Sequence, residues 1–417
     1  MFTLLLCAQP HNEEPRATGP AAPARLTLKS RTKLGQPSPL TGACYVSKSG
    51  PALVAAGGFS PDNGRTWSPF VPTPDFDSKL PQGYRRERHP TWLDPLTGRL
   101  VTIINAMDTP GLDPNIIEPA IALKTYYLRY RVSADGGKSY LFDEPIVQQG
   151  DFKPERPVEG VWVGKNSIFM GDAGSTLVRT RAGKILVPAQ VCTLDATGEL
   201  SSIRLGVTTY TDVLVLIGTW TAEHRLKWET SERVVADPAR STRGMIEPTI
   251  AEMPDGRLLM VMRGSNGGST DPDYKLPGFR WFSVSSDGGR RWTRPEPWTY
   301  GDGSPFFSPS SMSQLLPHPN GRIYWIGNIS PSNPQGNNPR WPLVIGEVDT
   351  RSLLLIRDSL LEIDTLGPGD REGVELSAHS AAFVDRETGD IVLPMLRWTG
   401  GYKRSEPYLF RIATAKL

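Results

Sequence analysis

The chain has 417 residues and a formal net charge of +2, with basic and acidic side chains interleaved along its length. The sequence contains no basic block and no apolar run long enough to span a bilayer, so it predicts neither a nucleic-acid partner nor membrane insertion. The 41 glycines and 39 prolines separate many short apolar runs, which is typical of an all-β chain. Cys7, Cys44 and Cys192 are too widely spaced for a disulfide framework or a metal site.

The first 38 residues are predicted to be a leader or linker that precedes the main domain. Residues 1–8 are apolar, like the middle of a signal peptide, but they lack a basic start. An unstructured leader is the favoured interpretation, and the remnant of a signal peptide is the alternative. Residues 9–38 are rich in Pro, Ala, Arg and Lys and are predicted to be a linker or an extended lead-in strand. A truncated signal peptide would imply a secreted or periplasmic protein, and a cytoplasmic protein is expected otherwise.

Three segments share the pattern Ser-x-Asp-x-Gly-x-x-aromatic, and we call them the repeated turns. They are FSPDNGRTW from Ser60, VSADGGKSY from Ser133 and VSSDGGRRW from Ser285. Asp and Gly at this spacing predict a tight turn between antiparallel strands, because the carboxylate accepts backbone N–H groups and Gly adopts positive φ. The starting serines are 73 and 152 residues apart, which predicts a fourth, eroded copy near residue 209. We interpret the turns as structural and not as catalytic.

Five strand–turn–strand units follow residue 85, each ending in a Gly-initiated apolar strand such as GRLVTIINA or GRLLMVMRG. Strands from the two ends of the chain are expected to close one more blade, with PYLFRIATAKL pairing with the region ACYVSKSGPALVAAGG. The prediction is therefore an all-β fold, a six-bladed β-propeller of four-stranded antiparallel blades that covers residues 39–417. Ring closure of this kind removes open sheet edges.

From about residue 85, the chain resembles the sialidase (neuraminidase) superfamily, whose members are six-bladed propellers with Asp-box, or BNR, repeats. Arg88-His89-Pro90 resembles the family's Arg-Ile-Pro motif, and GSTLVRTRAGKILVP is similar to a family strand unit. In EPTIAEMPDGRLLMVMRG, Glu247 and Arg263 match a family pair, and Arg340 in NNPRWPLVIGE matches a third family arginine. The resemblance implies that Arg88, Arg263 and Arg340 hold a substrate carboxylate, a role that suits the bidentate guanidinium group.

The resemblance also implies an acid/base Asp on the segment NAMDTPGLDPN. Asp113 is the first choice, Asp108 the second and Glu118 a further candidate. Where the family has its nucleophilic Tyr, this sequence has His379, so the expected Tyr is replaced. His379 is predicted to act as a base or nucleophile poised by Glu247, and a packed strand histidine is the alternative.

Additional side chains are assigned to the predicted pocket. His89 and Arg243 are expected to bind substrate, whereas the charged segment 370–375, which includes Glu375, is either pocket lining or a solvated loop. The predicted function is an exo-acting glycosidase on an acidic sugar such as a sialic acid. The alternatives are a His-dependent lyase or hydrolase on uronic-acid glycans, and a carbohydrate-binding propeller without catalysis. No cofactor and no catalytic metal are predicted.

Overall fold

The computed structural model describes residues 25–35, 42–55, 58–71, 84–108, 121–204, 208–370, 373–376 and 381–414. These residues form a six-bladed β-propeller of four-stranded antiparallel blades, which confirms the predicted fold class. Helix is almost absent, and within these ranges no helix is long and apolar enough to cross a membrane.

The first half of the described chain contains strand β1 and three blades. Strand β1 is Leu26–Lys33, and the first blade has β2–β5: Cys44–Tyr45, Leu53–Ala55, Gly58–Ser60 and Ser68–Pro69. The second blade has β6–β10: Tyr84–Arg88, Trp92–Leu93, Leu100–Asp108, Tyr127–Ser133 and Asp143–Pro145, with helix α1 (Ala122–Thr125) before β9. The third blade and its side hairpin have β11–β17: Ile168–Phe169, Val178–Arg179, Ile185–Cys192, Ser202–Arg204, Thr208–Thr209, Thr211–Trp220 and Leu226–Thr230.

The second half of the chain contains the other three blades. The fourth blade has β18–β21: Ile246–Glu252, Leu258–Arg263, Arg280–Ser285 and Glu296–Pro297. The fifth blade has β22–β25: Gln314–Pro317, Ile323–Asn328, Leu343–Val348 and Leu361–Asp364, with a 3₁₀ turn at Arg357–Ser359. The sixth blade has β26–β29: Val374–Glu375, Phe383–Val384, Ile391–Thr399 and Arg404–Thr414.

The hydrophobic core lies between neighbouring blades. The second strands of the second and third blades, β8 and β13, are buried along almost their whole length, because each blade is covered by a blade on either side. One apolar cluster, for example, joins Val101 and Ile103 of β8 to Ile185 of β13 and Leu214 of β16. Each such side chain contributes about 1.5–3 kcal/mol on burial. The Gly-initiated apolar runs of the sequence therefore become the central strands of the blades.

The ring closes differently from the sequence prediction. The last strand, β29, pairs antiparallel with β1, so that Leu26 lies opposite Thr414 and Lys33 opposite Tyr408. The predicted partner region of β29 instead forms β2–β4 of the first blade. That pairing prediction was wrong, because alternation in two segments does not show which of them is the neighbour. The closing strand lies before residue 39, the domain boundary that we predicted.

The three repeated turns have the same geometry and the same position, between the third and fourth strands of three blades. In the turn from Ser285, the N–H of Gly289 donates to the Ser285 hydroxyl (3.0 Å) and the indole of Trp292 donates to the Gly289 carbonyl (3.0 Å). The corresponding turn of the third blade lies at residues 221–225, and residue 209 belongs to β15. The fourth copy predicted near residue 209 was therefore misplaced, and its turn lacks the motif.

Antiparallel blades give the propeller two distinct faces. The turns between first and second strands, and between third and fourth strands, lie on one face, which we call the turn face. The connections between second and third strands, and from blade to blade, lie on the other, which we call the site face. Functional side chains from several blades can come together on the site face, because the connections between blades lie there.

Candidate functional site

An ion pair in the fourth blade lies on the site face, where β18 begins and β19 ends. Glu247 stands at the start of β18 and Arg263 at the end of β19, and their register places these strand ends side by side. The Arg263 Nη1 donates to Glu247 Oε1 (2.6 Å), and both side chains are largely buried. The backbone N–H of Glu247 donates to Gln190 Oε1 (2.8 Å) of the third blade, which orients the residue. The structure thus brings together two residues that the sequence pattern paired.

Arg263 directs only part of its guanidinium to the protein. Its Nε donates to the Ser310 hydroxyl (2.7 Å) and its Nη2 to Asn337 Oδ1 (3.1 Å), besides the bond to Glu247. A guanidinium has five N–H donors, so one N–H on each terminal nitrogen has no acceptor among the described residues. Two such donors match the two oxygens of a carboxylate.

Glu247 itself is held in an unusual conformation. Its φ is +48°, a left-handed value that is uncommon outside glycine, and Gly171 packs against it so closely that a Cβ at position 171 would lie 2.6 Å from the Glu247 Cγ. The second carboxylate oxygen, Oε2, is buried and has no hydrogen-bond partner in the described structure. A strained residue with an unpaired buried oxygen is typical of a functional position.

Arg340 approaches from the connection between β23 and β24 of the fifth blade. Its Nη2 donates to the Ser310 carbonyl (3.0 Å), its Nη1 donates to the Tyr402 hydroxyl, and its Nε lies 3.6 Å from Glu375 Oε2. Burial lowers the pKa of Arg340, and the positive charge of Arg263 lowers it further. The structure therefore places Arg263 and Arg340 on either side of one residue, Ser310.

Tyr402 was not assigned to the site from the sequence, whereas Glu375 was a candidate for pocket lining. Tyr402 lies in the turn between β28 and β29, and its hydroxyl donates to Glu375 Oε2 (3.1 Å). Burial raises the pKa of Tyr402 to about 12, and the charge of Arg340 opposes that rise, so the phenol is neutral near pH 7. Glu375 lies in the segment that was expected to be pocket lining or solvated loop, and its contact with Arg340 favours the first interpretation.

A third arginine, Arg280, was missed entirely. It begins β20 opposite Arg263, is fully buried, and donates from Nη1 to the Ser311 carbonyl (2.7 Å) and from Nη2 to the Ser308 hydroxyl (3.0 Å). Burial lowers its pKa to about 9, and the charges of Arg263 and Arg340 act in the same direction. An arginine at the start of a strand whose other residues are uncharged was the signal that could have identified it.

His89 belongs to the neighbouring part of the site face. Its Nε2 lies 3.1 Å from Asn105 Nδ2, and the Asn105 side chain also bonds both backbone groups of Met170. Burial lowers the pKa of His89 to about 4 although the charge of Asp172 opposes this, so the imidazole is neutral near pH 7. Asp172 follows Gly171, the glycine that contacts Glu247, so a short chain of contacts links the Arg-His-Pro segment to the ion pair of the fourth blade.

The remaining predicted site residues lie in other segments of the chain. Arg88 ends β6 opposite Ile104 and has an exposed side chain, and Arg243 is half-buried in the connection before β18. Their roles in substrate binding stay predictions. Asp108 ends β8 and bonds both the Arg86 guanidinium and the Tyr127 hydroxyl. Asp113, Glu118 and His379 lie outside the described residues.

The described side chains provide donors and acceptors of hydrogen bonds, and no metal-binding group. Over the ranges that the structure describes, no cluster of three or more His, Cys, Asp or Glu side chains is placed to hold a metal ion. The charged groups of the cluster are three arginines and two glutamates, namely Arg263, Arg280, Arg340, Glu247 and Glu375. Such an arrangement can attract and orient an anion, and it can hold a neutral phenol and a free carboxylate oxygen beside it.

Comparisons with known proteins agree with the fold. No protein-family model and no curated protein matches the sequence. A protein of unknown function from Dyadobacter fermentans has a similar structure, with 14% identity, a TM-score of 0.57, and coverage of 94% of this chain and 99% of that one. The intramolecular trans-sialidase from Ruminococcus gnavus, in complex with oseltamivir carboxylate, has 13% identity, a TM-score of 0.50, and coverage of 92% and 94%.

A leech intramolecular trans-sialidase, complexed with 2,7-anhydro-Neu5Ac, is similar at 14% identity and a TM-score of 0.50. The match covers 90% of this chain but only 64% of the leech chain, so this chain spans about two thirds of that protein's length. Identities this low establish a shared fold and nothing finer. The chain is therefore a propeller of the architecture found in sialidases, and its chemistry has to be argued from its own side chains.

Proposed function

We propose that this protein is an exo-acting glycoside hydrolase whose substrate is an acidic sugar such as a sialic acid. The observation that carries the proposal is the pair formed by Arg263 and Arg340, which flank Ser310 on the site face. Among the described residues, one N–H on each terminal nitrogen of Arg263 has no acceptor, and a carboxylate has two oxygens that can accept such donors. Arg88, as in the sequence prediction, is proposed as the third member of the clamp.

The electrostatics of the cluster support an anionic ligand. Three arginines face two glutamates, which leaves an excess positive charge in a largely buried region. A bound carboxylate would compensate this charge and lower the cost of keeping it away from water. The trans-sialidases with similar folds were solved with oseltamivir carboxylate and 2,7-anhydro-Neu5Ac, which is consistent with this choice of ligand.

The proposed chemistry uses residues around the clamp. Once the clamp holds the carboxylate, Asp113 is proposed to protonate the departing glycosidic oxygen, the role that the sequence resemblance implies for it. Glu247 offers its unpaired Oε2 as the acceptor for a proton from the attacking group. His379 is proposed as the base or nucleophile, and Tyr402 is a second candidate because its phenol is already held by Glu375 and Arg340.

A substrate screen tests this proposal. Purified protein is incubated with aryl glycosides of N-acetylneuraminic acid, of another ulosonic acid, of glucuronic acid and of neutral glucose. We expect release of the aryl group from an acidic glycoside and none from the neutral one. An unsaturated product with ultraviolet absorbance would mean elimination and would contradict hydrolysis, and binding without any product would favour the carbohydrate-binding alternative.

Variants then assign the roles. Asp113→Asn, His379→Ala and Glu247→Gln are expected to lower turnover by at least a hundredfold while binding of the acidic sugar stays measurable. Asp287→Asn, in a repeated turn on the opposite face, is the matched carboxylate control and should keep wild-type turnover. Full activity in all three site variants would remove the proposed mechanism.

A further inference from the structure

The connection that enters the fifth blade contains three buried serines around Pro309. Ser308, Ser310 and Ser311 are each at most 2% exposed, although serine is usually a surface residue. Burying a hydroxyl group is costly unless it is hydrogen-bonded, so each of these side chains needs a partner. The partners are the arginines of the site.

Ser310 contacts both arginines of the proposed clamp through different atoms. Its hydroxyl accepts the Nε–H of Arg263 (2.7 Å), and its carbonyl accepts an N–H from Nη2 of Arg340 (3.0 Å). Its own N–H donates to the Gly336 carbonyl (2.8 Å), which ties the residue to the segment that carries Arg340. One residue therefore sets the spacing between two guanidinium groups from adjacent blades.

Arg280 supports this segment from within the protein. Its guanidinium bonds the flanking residues Ser308 and Ser311, and the Ser308 hydroxyl in turn donates to the Asn328 carbonyl (2.8 Å). Arg280 is fully buried and its Nε has no acceptor in the described structure. The charge of Glu247 favours its protonated form, whereas the charges of Arg263 and Arg340 oppose it. A buried cation in such surroundings destabilises the fold unless it has a compensating role.

We propose that Ser310 is a positioning residue that orients Arg263 and Arg340 as one anion-binding unit, with Arg280 fixing the backbone on either side of it. This inference rests on the proposed function for the identity of the anion, a sugar carboxylate. It extends that proposal because it makes the selectivity for a carboxylate depend on a neutral side chain. Ser310 acts through the arginines, so its replacement changes anion affinity more than it changes the fold.

The first test measures binding of N-acetylneuraminic acid and of its carboxamide by calorimetry. We expect Ser310→Ala to weaken binding of the acid about tenfold, the effect of losing one hydrogen bond to a charged group, and to change carboxamide binding less than twofold. Ser313→Ala is the matched control, because Ser313 is equally buried three residues away and its hydroxyl has no partner in the described structure. This control should bind both ligands as the wild type does.

The second test needs no ligand. The Nε–H resonance of Arg263, assigned by its loss in Arg263→Lys, should exchange with water at least tenfold faster in Ser310→Ala and at the wild-type rate in Ser313→Ala. Unchanged exchange in Ser310→Ala would overturn the positioning role. If the wild type prefers the acid over the carboxamide and Ser310→Ala keeps that preference, this inference is wrong and the proposed function stands. If the wild type shows no preference while the exchange rates change as expected, the proposed ligand is wrong and the positioning of Arg263 stands.

Discussion

The two faces of this propeller differ in the hydrogen bonds that they share from blade to blade. On the turn face, the repeated turns have in common a set of hydrogen bonds that span only a few residues, as from Gly289 to Ser285. Bonds to a neighbouring blade are added at single turns, as from Asn63 to Asp385 (2.6 Å). On the site face, Arg263 bonds side chains 16, 47 and 74 residues away, in three separate segments. The turn-face bonds are close to water, whereas the site-face charges are buried. One face therefore repeats a local unit from blade to blade, and the other has a network whose members come from separate segments.

The largest expected effect of a substitution follows from the buried ion pair. Arg263→Ala leaves the Glu247 carboxylate buried without its partner, so we expect a loss of about 3–5 kcal/mol in the free energy of unfolding. Arg291→Ala removes an arginine of the turn face that is 76% exposed and pairs only at 3.6 Å or more. That control should change stability by less than about 0.5 kcal/mol. The free energies of unfolding are measured by urea denaturation of both variants. Equal losses of this free energy would contradict the contrast between the faces.

A second effect concerns the pH dependence of stability at His89. Burial holds its pKa at about 4, below the usual 6.5, so the unfolded chain binds this proton more readily between these values. The contribution of His89 to stability is therefore fully present above pH 6.5 and is lost as the pH falls towards 4. The substitution His89→Gln should reduce the loss of unfolding free energy between pH 7 and pH 4 by about 3 kcal/mol. Identical pH profiles for wild type and variant would show that His89 is not held neutral.

A smaller, local effect is expected in the repeated turns. Ser285→Ala removes the hydroxyl that accepts the Gly289 N–H and donates to Asp287 (2.9 Å), and should cost about 1–2 kcal/mol. Ser286→Ala changes the exposed neighbouring serine and should be neutral. Neither variant should alter binding of an acidic sugar, because the turn lies on the face away from the arginines. A binding defect in Ser285→Ala with normal stability would mean that the two faces are coupled.

The smallest effect is a shift of a single pKa. Hydrogen bonds from Thr66, first its hydroxyl and then its backbone N–H, lower the pKa of Asp62 to about 2. Thr66→Val removes the hydroxyl and should raise that pKa towards its usual value, as measured by NMR titration of the carboxyl carbon. The Ser68 hydroxyl donates to the Phe59 carbonyl and not to Asp62, so Ser68→Ala should leave the pKa of Asp62 unchanged. If the pKa of Asp62 is the same in Thr66→Val as in the wild type, the Thr66 hydroxyl does not stabilise the Asp62 carboxylate.

The difference between the faces also explains what could be predicted from the sequence. The repeated turns and the Gly-initiated strands were identified because their interactions fall within one short segment, as from Ser285 to Trp292. Ring closure was assigned to the wrong partner, since the pairing of β1 with β29 joins residues at opposite ends of the chain. Alternation of apolar residues indicates that a strand has a buried face but not which strand lies beside it.

The site was predicted in part for the same reason. Glu247 and Arg263 lie in one hairpin, so a single motif contains both. Ser310, Arg280 and Tyr402 entered the site only through contacts that cross blade boundaries, such as the bond between Arg340 and Tyr402, 62 residues apart. No local pattern marks such residues. The positions of these partners depend on the register of whole blades, which the sequence motifs do not encode.

The central claim is that Arg263 and Arg340 together recognise a carboxylate. Its most direct test is the ratio of the dissociation constants of N-acetylneuraminamide and N-acetylneuraminic acid, measured by calorimetry. The proteins compared are the wild type, Arg263→Gln, Arg340→Gln and the turn-face control Arg291→Gln. Circular dichroism first establishes that each variant is folded. We expect a ratio of about 100 for the wild type and the control, since a bidentate charged pair contributes a few kcal/mol. In both site variants the ratio should fall at least tenfold. A wild-type ratio near one, or an unchanged ratio in both site variants, would contradict the claim.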